Sequence, residues 1–318
     1  MGDCALTGEE TMQNHLLFNL QIDCEATQHA IQDAALGERA IRGLGEVFEQ
    51  TGTRGTFFVI PGDIEVHAGI YRELEAQGHE IGLHIHPAEM GYGEFLGVLS
   101  GEQQHQIIGE ARDRFAQAMG RAPLSFCPGY ASANDATFGV LESLGFTHGM
   151  VSMPTRNLPQ CACFWGDSPL DPRYPHRYNR SLEGDVDFVD LPPTVDPESR
   201  MWGGGHPQDL RVELVDAKNH WHNMSKAVQR QISQNPPLRQ LHALTHNVFK
   251  FGDTQNFRRE TYIGMVKGAR EIAEREGLEF RAVTLAEMAA QYRRLVPIES
   301  AAPAQLELDT RGRTFNKN

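Results

Sequence analysis

Two short pairs of chemically capable side chains stand out in this sequence: Asp23-Cys24-Glu25 and His84-Ile85-His86. Residues two apart on an extended strand share a face, so each pair can converge on one point. Adjacent carboxylates can divide labour, one holding a cation while the other takes a proton. Paired imidazoles on one face suit zinc or a similar first-row metal. A further histidine, His246, ends the apolar run LHALT and suits a general acid beside such a metal. The turn Phe126-Cys127-Pro128-Gly129-Tyr130 can present backbone N–H groups to an oxyanion. Each feature alone has a plainer reading: a polar strand end, two surface histidines, a proline-glycine turn with Tyr130 on the rim, a structural histidine. His242, four residues before His246, reads as a core histidine.

What must position these residues is an alternation of strands and helices. Strand-like runs occur at 15–22, 55–60, 79–84, 124–127, 241–245 and 278–282. Helical spacing occurs at 37–50, 71–77, 102–119, 134–144, 214–233, 261–276 and 284–292, with Gly78, Gly120 and Gly145 as stops. Parallel strands with crossover helices follow, and each reactive cluster falls at the C-terminal end of a strand, where parallel α/β barrels keep their working side chains. Between 154 and 207 prolines, glycines and turn residues crowd together. That stretch reads as an irregular excursion over the barrel mouth, with one short strand at 186–191. The expected organisation is an extension at 1–14, one domain at 15–295 and a mobile tail at 296–318.

The 318 residues are 40% hydrophobic and 22% charged, enough for a sizeable core. Lys plus Arg is 29 and Asp plus Glu is 42, a net charge of −13, which argues against nucleic acid as a partner. No uninterrupted apolar run approaches the roughly 20 residues that span a bilayer, so no membrane partner is expected. The first twenty residues lack a basic region and an apolar core, and the five cysteines are odd in number and scattered. A reducing, cytoplasmic setting is therefore the expectation. An oligomer remains compatible with the sequence.

Taken in order, TGTRGTFFVIPGDIE, ELEAQGHEIGLHIHP, LSFCPGY followed by VLESLGF, and LHALTH resemble the polysaccharide deacetylase family (carbohydrate esterase family 4, the NodB-homology domain) over roughly residues 15–293. The resemblance implies a distorted (β/α) barrel of about seven parallel strands, a divalent metal, usually zinc, and a carbohydrate or small amide substrate. It implies an aspartate base, matched by Asp23, and a histidine that protonates the leaving group, matched by His246. His84 matches the first metal histidine. Glu25 and His86 match the metal carboxylate and second histidine in a variant spacing. Tyr130 matches the residue whose backbone N–H helps bind the oxyanion. Cys24 and Cys127 occupy positions where the family usually has a carboxylate and an arginine that orients the base.

The expected activity is removal of an N-acyl or O-acyl group from a carbohydrate or sugar-like substrate. The alternatives are hydrolysis of a small cytosolic amide on the same scaffold, or carbohydrate binding without turnover. Cys24 and Cys127 are read as small buried residues rather than ligands. Cys161 and Cys163 lack neighbours to complete a metal site. His220-Trp221-His222 reads as surface or groove-lining, and Trp165 or Trp202 as a wall of the pocket.

Overall fold

A computed structural model of the chain describes residues 14–201 and 206–304. Eight parallel strands make one sheet: β1 (His15–Cys24), β2 (Gly55–Val59), β3 (Glu80–Ile85), β4 (Ser125–Pro128), β5 (His148–Gly149), β6 (Val189–Asp190), β7 (Gln240–His246) and β8 (Glu279–Ala282). Seven run in the order β6-β5-β4-β3-β2-β1-β7, and the sheet curls into a half-barrel, in keeping with the expected distorted barrel of about seven parallel strands. The eighth, β8, pairs with the first half of β1 while β2 pairs with the second half. β1 thus has neighbours on both edges over most of its length, and all ten of its residues are buried.

The ends of the curl are stitched together just after β6. Thr194 donates its N–H to the His242 carbonyl at 3.0 Å, and its Oγ1 accepts the His242 N–H at 2.9 Å.

Helices α1 (Ala34–Thr51), α2 (Pro61–Ala76), α3 (Gly101–Met119), α4 (Thr137–Ser143), α5 (Ala217–Gln234), α6 (Phe257–Arg275) and α7 (Leu285–Leu295) complete the fold. Local chemistry sets their ends. Ser100 and Gln103 form a capping box at the start of α3, and Thr284 and Glu287 form one at α7. Glycines at 52 and 120 close α1 and α3 in the left-handed conformation. Among the described residues no helix is long and apolar enough to cross a membrane.

Strand alternation sorts β1 into two faces. Gln21 and Asp23 point into the barrel beside Cys127, whereas Cys24 points outward to Tyr71 and Asp63 of α2. Burial, followed by the nearby Asp63 charge, pushes the Cys24 thiol well above its ordinary range.

Two sequence expectations change. The 154–207 excursion holds three small antiparallel ribbons: Asn157–Leu158 with Cys163–Phe164, Pro175–His176 with Asn179–Glu183, and Val195–Met201 with His206–Asp209. Several of these strands are two residues long, too short for alternation to register, and the expected strand at 186–191 shortens to Val189–Asp190. His220 is not at the surface. It lies fully buried on the inner face of α5, with neither ring nitrogen hydrogen-bonded, while Trp221 and His222 face outward. Cys4, Trp202 and most of the two expected terminal extensions lie outside the described residues.

Candidate active site

Parallel pairing brings the reactive strand ends together. Asp23 of β1 stands opposite His246 of β7, and His84 of β3 stands opposite Cys127 of β4. All six residues singled out in the sequence — Asp23, Glu25, His84, His86, Tyr130 and His246 — line one pocket of about 140 Å³. A wider hollow of about 580 Å³ lies on the outer surface around Arg42, Glu73 and His79, away from these residues.

The two imidazoles are oriented from behind. His84 Nδ1 lies 2.8 Å from the Cys127 carbonyl, which can only accept, so Nδ1 carries the proton. His86 Nδ1 lies 3.1 Å from Glu94 Oε1, a second acceptor. In both rings Nε2 is therefore the nitrogen turned toward Glu25, donating to the carboxylate when protonated and free to offer a lone pair to a cation when not. Glu25 Oε2 is 2.9 Å from His86 Nε2 and 3.7 Å from His84 Nε2. A carboxylate and two Nε2 atoms converging this closely, each ring fixed by an outer acceptor, could hold a metal ion. The donor set fits a divalent ion. Gly129 makes room for the His86 ring: a Cβ there would come within 2.6 Å of it.

Burial opposes ionisation of Glu25, but hydrogen bonds from His84 and His86 and the His246 charge hold its carboxyl well below the ordinary range. The loop after β1 is pinned by Asn247. Its Oδ1 accepts the N–H groups of Glu25 and Ala26 at 2.8 and 3.1 Å, and its Nδ2 donates to Asp63 at 3.1 Å.

His246 has a carboxylate partner that the sequence reading did not identify. Its Nδ1 lies 2.7 Å from Glu213 Oε1, and its Nε2 is 4.0 Å from Glu25 Oε1. Burial alone would lower the imidazole. The Glu213 hydrogen bond and charge, then the charge of Glu25, raise it to about 9.

Asp23 is met by Gln21, whose Nε2 donates to Oδ1 at 2.7 Å. Cys127 Sγ lies 3.9 Å from the same oxygen and takes a hydrogen bond from Gln21 Nε2 at 3.3 Å. Burial, then the Asp23 charge, pushes the Cys127 thiol well up, which keeps it a neutral packing group.

Tyr130 and Ala131 both take left-handed backbone angles, φ 59° and 50°. Trp165 does not wall the pocket. It is fully buried and braces this turn, donating from Nε1 to the Ala131 carbonyl at 2.8 Å. The Tyr130 ring packs edge-on against His86 with centroids 5.2 Å apart.

Two arginines also line the pocket, Arg156 and Arg211. The stretch Asp209-Leu210-Arg211-Val212-Glu213 lies between the expected excursion at 154–207 and the helix expected from 214, and no element is expected there from the sequence. Its alternation was the available signal: Leu210 and Val212 are buried in the core, while Arg211 reaches the pocket and Glu213 reaches His246.

The family model described as polysaccharide deacetylase matches residues 33–149, a span that contains His84, His86 and Tyr130 but neither β1 nor His246. The family resemblance carried by the motifs is thus found independently. A search of curated proteins finds no match. Among solved structures, one described as a polysaccharide deacetylase from Mycobacterium smegmatis superposes with a TM-score of 0.62 at 13% identity, covering 93% of this chain and 96% of that one. One described likewise from Pseudomonas aeruginosa PAO1 gives 0.60 at 12% identity, covering 91% and 93%. The Puue allantoinase gives 0.60 at 13% identity, covering 92% and 93%. At these identities the likeness is one of fold.

Proposed function

We propose that this chain is a metal-dependent hydrolase of the polysaccharide deacetylase type, cleaving an acyl C–N (or C–O) bond. The observation that carries the reading is the convergence of Glu25 with the two Nε2 atoms of His84 and His86, between Asp23 and His246.

Glu25, His84 and His86 would hold a divalent ion, zinc by its nitrogen and oxygen donors, and that ion would supply Lewis acidity toward the water and the acyl carbonyl. Asp23, held by Gln21, accepts a proton from the attacking water as its oxygen bonds to the acyl carbon. The backbone N–H of Tyr130, which lines the same pocket, would donate to the oxygen that gains charge. His246, kept protonated by Glu213, then gives its proton to the departing nitrogen or oxygen as the bond to carbon breaks. One water is consumed, and a carboxylic acid and an amine or alcohol leave.

The same fold serves proteins described as polysaccharide deacetylases and an allantoinase, so the fold does not choose the substrate. The pocket volume of about 140 Å³ favours a small amide over a long glycan, since ligand clefts commonly run from about 300 Å³ upward. The test is metal quantification on the purified protein, with a screen for acetate or formate released from N-acylated sugars and small amides. Bound divalent metal and release from one class support the reading. A metal-free protein that binds a sugar without turnover would replace it with a carbohydrate-binding role.

A further inference from the structure

The pocket also carries two arginines, Arg156 and Arg211, to which the steps above give no task. Arg156 and Arg211 both approach Asp209, whose side chain is only 1% exposed. Arg156 Nη2 donates to Asp209 Oδ2 at 2.7 Å. The other oxygen, Oδ1, already accepts the Arg211 backbone N–H at 3.2 Å. Arg211 Nη2 is left 3.6 Å from Oδ2, beyond hydrogen-bond range, and its Nε is buried without a partner among the described residues. Two guanidinium groups thus share one carboxylate, and that carboxylate serves the side chain of only one.

The remaining acids near Arg211 are engaged elsewhere. Glu213 holds His246 at 2.7 Å, Glu25 holds His86 at 2.9 Å, and Asp23 is held by Gln21 at 2.7 Å. A desolvated guanidinium with unmade hydrogen bonds is costly unless a ligand completes them. Its planar fork matches a carboxylate in a bidentate pair. Met150, Met153 and Leu244 supply the apolar rest of the lining.

Resting on the hydrolase reading above, we propose that Arg156 and Arg211 receive a carboxylate on the substrate, so that the molecule cleaved is a small anionic amide rather than a neutral sugar polymer. Arg156 comes from the excursion over the mouth, and Arg211 from the segment hydrogen-bonded along β7. The excursion therefore acts in substrate selection.

The test uses matched pairs of small N-acyl amino acids and their C-terminal carboxamides, which differ only in the charge. Both binding, by calorimetry on metal-loaded and metal-free protein, and turnover are measured for wild type, Arg211→Gln, Arg156→Gln and Arg211→Lys, with melting curves to confirm folding. The acid should bind about tenfold or more tightly than its carboxamide in both metal states, the gain expected of one charge-assisted bidentate pair. The ratio should collapse in either Gln variant and recover only in part with Lys. Equal affinity for acid and carboxamide, or a preference surviving in both folded Gln variants, overturns the proposal. Arginine-dependent binding of acids without turnover of any compound would retain this site and sink the hydrolase reading. Turnover with no arginine-dependent acid preference would do the reverse.

Discussion

Gln21 Nε2 donates to Asp23 Oδ1 at 2.7 Å from two residues earlier on the same strand face. The resembled family uses an arginine at the position of Cys127 to orient its base; here an amide on β1 meets the carboxylate. Gln21→Leu removes the donor and leaves Asp23 beside an apolar wall. Losing a hydrogen bond to a charged group costs about 1.5–3 kcal/mol, so kcat should fall roughly tenfold or more with bound metal retained. Steady-state kinetics beside metal analysis would check it; unchanged kcat would remove Gln21 from the site's support.

Asp23→Asn keeps the shape and hydrogen-bonding capacity of the side chain but not its basicity. Loss of a general base commonly costs about 10²–10⁴ in rate. The variant should melt near the wild type, keep its metal, and lose turnover by that order. Wild-type activity would show that another group takes the proton.

Glu94 is not a ligand in this arrangement, yet it fixes the His86 ring through Nδ1 at 3.1 Å. Outer-shell partners of this kind are worth about 10–100-fold in metal affinity. Glu94→Gln should weaken metal binding by that order in a chelator competition, and His86→Ala should weaken it more. A chelator should abolish activity, and added zinc should restore it.

The pH dependence follows from Glu213. The acid must be protonated to act, so the rate falls as pH rises through the His246 pKa. With Glu213 present that pKa is raised to about 9; a cation on Glu25 would offset part of the rise. Glu213→Gln removes the largest of the raising contributions, so the basic limb of the pH–rate profile should shift to lower pH. An unmoved limb would mean that His246 is not the group being read.

Gly129→Ala places a Cβ within 2.6 Å of the His86 ring, closer than real contacts allow. Overpacking of this kind costs about 1–3 kcal/mol, and the ring is the part able to yield. The variant should lose metal affinity before it loses its fold, read by paired metal titration and thermal denaturation.

Much of this site was legible because strand ends carry their own signature. Asp-x-Glu and His-x-His announce a shared face when an apolar run precedes them, and parallel pairing then places Asp23 opposite His246. The supporting residues were harder to read. Gln21 looks like one more strand residue, and its role exists only once β4 brings Cys127 beside it. Arg211 and Glu213 sit in a stretch too short to read as a strand, bridged to β7 at a single residue, Leu244. His220 misled because neighbouring helical positions diverge; only packing against the sheet decides which one turns inward.

The clasp of Asn247 on the loop after β1 bears on the order of events during folding. One amide oxygen holds the N–H groups of Glu25 and Ala26, across more than two hundred residues of intervening chain. Closing so long a loop is entropically slow; the Ala26 N–H also reaches Asp63 Oδ2 at 3.0 Å, whereas the Glu25 N–H depends on Asn247. A nascent chain that has formed β1 to β4 already holds both histidines and the carboxylate, but not the clasp on the Glu25 backbone. Glu25 would therefore be set to hold a cation only at a late stage, after β7 docks.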